Sequence, residues 1–92
     1  MSERLPVLRS NEGELVSVRI TVEPRFLEDL LETLAEIDFP INPQIYHSRP
    51  TVVEFPAYRS RLNALQSNLQ RAGFPAGTIR VCPMAEELFA HA

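Results

Sequence analysis

Apolar and polar side chains alternate over residues 14–22, with Val16, Val18, Ile20 and Val22 on one side and Leu15, Ser17, Arg19 and Thr21 on the other. A period of two in β-branched residues predicts a strand with one buried face and one open face. Pro24 follows at a position where a helix start tolerates a missing N–H, and the period changes there. Phe26, Leu27, Leu30, Leu31, Leu34 and Ile37 recur at helical spacing, opposite Glu28, Asp29, Glu32 and Glu36. This pattern predicts an amphipathic helix from Pro24 to Ile37. Pro40 and Pro43 break its continuation. Residues 41–48 read as a second, weaker strand, confined to a sheet edge because proline donates nothing to a ladder.

Ser48-Arg49-Pro50 is a tight-hairpin signal. A third strand over residues 51–57 follows, with Thr51, Val53 and Phe55 on its core side. Residues 59–72 predict a second helix through the stripe Leu62, Leu65 and Leu69. Gly73 supplies a left-handed cap, Phe74 its hydrophobic contact, and Pro75 the stop. Residues 78–82 make a short fourth strand with Ile79 and Val81 inward. The order is strand–helix–strand–strand–helix–strand. With right-handed crossovers it predicts an α+β, ferredoxin-like βαββαβ sandwich: a four-stranded antiparallel sheet with two helices on one face. The expected strand order is fourth, first, third, second. This domain covers residues 13–83. Residues 1–12 are a flexible segment or a loosely added strand through Leu5 and Val7. Residues 84–92 form a tail whose Met84, Leu88 and Phe89 suit a short helix.

Composition narrows the chemistry more than it names any. The 92 residues, 45% of them hydrophobic, suffice for one core. A formal charge of -3 argues against nucleic acid. No apolar run reaches the roughly 18–20 residues of a membrane span. The start Met1-Ser2-Glu3-Arg4 lacks a secretory pattern, and Cys82 is the single cysteine, so the expected compartment is the cytoplasm. The chain has nine arginines and no lysine, which removes Schiff-base chemistry and the phosphate-loop lysine. Gly13, Gly73 and Gly77 stand apart and form no phosphate cradle. Neither a Gly-x-Ser-x-Gly elbow nor a His-Glu-x-x-His helix occurs. His47, His91 and Cys82 lack metal-ligand spacing, and none has an evident acid/base partner. No catalytic residue, metal or cofactor is expected.

On the predicted register the open sheet face carries Ser17, Arg19, Thr21, Gln44, Tyr46, Val52, Glu54, Arg80 and Cys82. Arg19 and Glu54 are expected to form a cross-strand ion pair worth about 0.2–1 kcal/mol. The face reads either as a polar surface, solvated or buried in a dimer, or as a site holding an anion between Arg19 and Arg80. Stacking aromatics of an RNA-binding sheet are missing from its first and third strands. A Cys-x-x-Cys pair and a glycine-rich anion loop are missing after the first strand. A homodimer paired through Arg19, Tyr46, Val52, Glu54 and Arg80 is expected, because so small a domain has little core of its own.

The stretch from Pro24-Arg25-Phe26-Leu27 to Leu34-Ala35-Glu36-Ile37-Asp38-Phe39-Pro40-Ile41 resembles the start of an ACT domain. That family opens its first helix with Pro-Gly-Leu-Leu and closes it with Leu-Ala-Glu-x-Gly-Ile-x-Ile. Pro24, Leu27, Leu34, Ala35, Glu36 and Ile41 match, and Leu62, Leu69 and Gly73-Phe74 fit the second helix and its exit. The resemblance spans residues 14–82. It implies a regulatory module that pairs through sheets or helices and binds an amino acid where the first strand meets the first helix. The ligand residues it implies are Glu23, Pro24 and Arg25, with Asn42 and Gln44. Arg25 and Asp38 stand where the family has glycines. A side chain at 25 closes the usual backbone approach, while a guanidinium at the positive helix end suits a carboxylate. The expected function is a non-catalytic homodimeric module that senses a small anionic or amino-acid-like ligand or serves as an interaction surface. The alternative is a small dimeric α+β-barrel enzyme with a cavity between sheet and helices, using His47 and Tyr46 or Tyr58.

Overall fold

A computed structural model of the chain describes residues 9–10 and 13–84. The elements are β1 (Gly13–Val22), α1 (Leu27–Ala35), β2 (Gln44–Tyr46), β3 (Thr51–Tyr58), α2 (Leu62–Arg71) and β4 (Ile79–Pro83). The four strands pair antiparallel in the spatial order β2, β3, β1, β4. A short rung, Arg9–Ser10, pairs with Glu14 and Gly13 at the start of β1. Over the described residues the fold is thus α+β, with a four-stranded antiparallel sheet and two helices. Among the described residues no helix is long and apolar enough to cross a membrane.

The alternation in β1 becomes a core because β3 brings a matching alternation against it. Val16 opposes Ala57, Val18 opposes Phe55 and Ile20 opposes Val53, and all six side chains are buried. Leu30 and Leu34 of α1, with Leu65 and Leu69 of α2, enter the same cluster. Both helices therefore cover one face of the sheet. Burying each such leucine is worth about 1.5–3 kcal/mol relative to leaving it in water.

Element ends depart from the periodic pattern at three points. A 3-10 turn, Pro24–Phe26, precedes α1, and Phe26 stays 40% exposed instead of joining the stripe. The helix ends at Ala35, ahead of Ile37. Glu36 N–H and Ile37 N–H donate to the carbonyls of Thr33 and Leu34, three residues back. This tightening tucks Ile37 into the core from outside the helix, and Pro40 has no N–H to offer a further turn. The second strand shrinks from residues 41–48 to Gln44–Tyr46. Pro43 cannot donate on one side of it. On the other, Ser48 N–H donates to the Tyr46 carbonyl at 2.8 Å, a three-residue turn that ends pairing. His47 sits in that turn and is exposed.

The exit of α2 is a full Schellman arrangement. Phe74 N–H donates to Leu69 O at 2.9 Å, Gly73 N–H donates to Gln70 O at 3.0 Å, and Gly73 takes φ +96°. Phe74 then packs on the core. The residues 85–92 of the expected tail helix, and Leu5 and Val7 of the expected added strand, lie outside the described residues.

Candidate functional site

The end of β1, the start of α1 and the exit of α2 meet around a cavity of about 420 Å³. Local sequence explains why each wall is there. Val22 ends the β1 ladder opposite Thr51. Pro24 turns the chain through the 3-10 step that sets Phe26 and then Asp29 at the rim. Gly73 reverses the chain after α2, so that Phe74 and Pro75 close the opposite wall. A Cβ at Gly73 would meet nothing within 4 Å, so the glycine leaves this wall open. Pro50, from the β2–β3 turn, and Thr78, just before β4, complete the lining together with Thr21, Val22, Glu23 and Ala72.

The walls are mainly apolar, and the polar side chains are carboxylates and hydroxyls. Glu23 and Asp29 bring carboxylates, Thr21 and Thr78 bring hydroxyls, and among the described residues no basic side chain lines the cavity. The Thr78 hydroxyl donates to Pro75 O at 2.7 Å, which ties the β4 approach to the α2 exit. A pocket with apolar walls and a few convergent polar groups is the usual form of a small-molecule site.

Arg25 does not line this cavity. Its Nε donates to Glu23 Oε2 at 2.9 Å, and its guanidinium lies 4.7 Å from the centre of the Phe26 ring. The group foreseen as a carboxylate clamp is turned onto its neighbours on the outer side of the rim. Pro24 is exposed beside it. Asn42 lies in the exposed segment before β2, and Gln44 lies on β2, where its Oε1 accepts from Tyr46 OH at 3.1 Å. Of the implied ligand residues, only Glu23 faces the cavity.

The open face carries a second group of side chains. Directly opposed residues form a row across all four strands: Gln44, Glu54, Arg19 and Arg80. Arg19 binds Glu54 Oε2 through Nε at 2.9 Å and through Nη2, and Glu54 Oε1, at 3.4 Å, shares the one Tyr46 hydroxyl proton with Gln44 Oε1. Tyr46 opposes Val52 in the next row, and Ser17 opposes Cys82 on the other side. Ser17, Arg19, Glu54, Arg80 and Cys82 surround a depression of about 190 Å³.

Of the residues of the alternative enzyme reading, Tyr58 stands apart from the other two. Tyr46 and His47 lie at the β2 end of the hairpin. Tyr58 opposes Leu15, six residues along β3 from the Val52 that opposes Tyr46, or roughly 20 Å at strand rise. Among the described residues no three of His, Cys, Asp and Glu converge as a metal site. Comparison with protein-family models, with curated proteins and with solved structures finds no match for this chain.

Asp29, Thr21, Phe74, Pro75 and Thr78 were not foreseen as site residues. Their positions look like helix surface, strand end and helix stop when read along the chain. The run Gly73-Phe74-Pro75 was the available signal, because a helix stop that carries an aromatic must place it somewhere.

Proposed function

We propose that the chain is a non-catalytic sensing module, ACT-like in type and ferredoxin-like in fold, that binds a small amino-acid-like molecule and acts as a homodimer. The observation that carries this reading is the cavity at the junction of β1 and α1, where the resemblance implies a ligand. Asp29 favours the ammonium end of such a molecule, since the Glu23 carboxylate is already paired with Arg25, with the apolar part against Phe26, Phe74 and Pro75. Charge-assisted hydrogen bonds from an ammonium to carboxylates are about twice as strong as neutral ones. The strand order and the one-sided placement of the helices support the sandwich reading. Exposed Tyr46 and half-buried Val52 beside the charged row support pairing through the open face.

The test is a titration of the isotope-labelled full chain with the standard amino acids, followed by amide shifts. A binder should move Thr21, Phe26, Phe74 and Thr78 saturably. Its decarboxylated amine should still bind, its deaminated acid should not, and Asp29→Asn should weaken it about ten-fold. If no amino acid or amine moves these residues at millimolar concentration, the sensing reading is wrong.

A further inference from the structure

Arg19 and Arg80 stand directly opposite each other on β1 and β4. Like charges so placed destabilise a strand pair. Glu54 answers Arg19 from the other side with two hydrogen bonds to one carboxylate oxygen. Arg80 is exposed and has no hydrogen-bond or ion-pair partner among the described residues. Within the row, Arg80 is therefore the cation that no carboxylate of the described residues answers, while Arg19 makes a further contact besides Glu54. Below it lies the 190 Å³ depression, whose floor includes Ser17. Ser17 is buried as a residue, but its hydroxyl is not cut off from solvent and makes no hydrogen bond among the described residues.

We infer that this depression binds a small oxyanion, the end of a phosphate or carboxylate group, between Arg80 and Ser17 and alongside Arg19. A guanidinium offers two parallel N–H donors matched to two oxygens of such a group. The Ser17 hydroxyl can turn its proton towards a third oxygen or towards the same carboxylate. One negative charge answers Arg80 and offsets the repulsion between the two arginines. Pairing of two copies through this face gains as well, since a bound anion offsets the Arg80 charge that each copy brings to the contact. The site shares no residue with the junction cavity, so either can fail while the other stands.

The experiment titrates the full chain with inorganic phosphate and, separately, with acetate, against sodium chloride at matched ionic strength. Amide shifts and the alkylation rate of Cys82, the chain's one thiol, are both followed. Phosphate or acetate should move Ser17, Arg80 and Cys82 saturably, leave Phe74 and Thr78 in place, and slow Cys82 alkylation several-fold. A response to phosphate alone assigns a phosphate group, and a response to acetate alone assigns a carboxylate. Arg80→Gln should weaken binding at least ten-fold and Arg80→Lys less. Arg49→Gln, on the exposed hairpin turn, should change nothing. Shifts matched by chloride, or unchanged in a folded Arg80→Gln protein, overturn the assignment.

Discussion

Gly73 is held at φ +96° with open space where a Cβ would point. Substitution there therefore strains the backbone without a collision. Gly73→Ala should lower stability by about 1 kcal/mol, measured as a shift of the urea midpoint at constant slope. A neutral outcome would mean that the Schellman exit is not maintained in solution. The Arg19–Glu54 pair permits a second test at this scale. The Arg19 side chain is 44% exposed and that of Glu54 only 17%, so solvent screens much of the attraction. A double-mutant cycle with Arg19→Gln and Glu54→Gln should return a coupling of about 0.2–1 kcal/mol, reduced in high salt. A coupling of zero in low salt would show that the pair holds no stability.

Helical stripes and strand alternation differ in how far each determines its element. Leu65 and Leu69 of α2 are fully buried, whereas Leu62 is only partly so. Leu65→Ala should cost about 2–5 kcal/mol and Leu62→Ala clearly less, both read from chemical denaturation. Equal losses would contradict the packing of α2 described above. The stripe of α1 was legible from Leu27 to Leu34. Its last apolar residue, Ile37, proved to be buried from outside the helix, because an apolar position at helical spacing reports burial and not helicity. The short β2 has the same cause. Pairing depends on which donors remain, and Pro43 and the Tyr46–Ser48 turn remove them on both sides. The amides flanking Gln44–Tyr46 should accordingly exchange faster than those of β3.

At the scale of the whole molecule, α1 and α2 pack on one sheet face, and among the described residues no helix lies against the other. That face carries Tyr46, Val52 and a row of charges. Face-to-face pairing should give a light-scattering mass about twice the 10.4 kDa of the chain at micromolar concentration. Val52→Arg should reduce it to the monomer by burying a charge without a partner. A monomer in the parent protein, with Val52→Arg unchanged in mass and stability, refutes the dimer. The edge at β2 is short and flanked by prolines, which disfavours sheet extension there.

Without setting the extent of β2 or the end of α1, side-chain spacing and turn residues by themselves determined strands at the four predicted places, helices at the two, the buried face of β1 and β3, and the left-handed exit at Gly73. Each of these is a local matter of side-chain spacing and backbone preference. The facing of Arg19 by Glu54 was also legible, since register follows once one face must be buried. Only the tertiary structure decided which residues share the junction cavity, because its walls come from chain segments up to 57 positions apart, Thr21 to Thr78. It also decided that Arg25 turns to Glu23 and Phe26. Both outcomes depend on how closed turns aim side chains in space, and hydrophobic spacing along a chain carries no record of that.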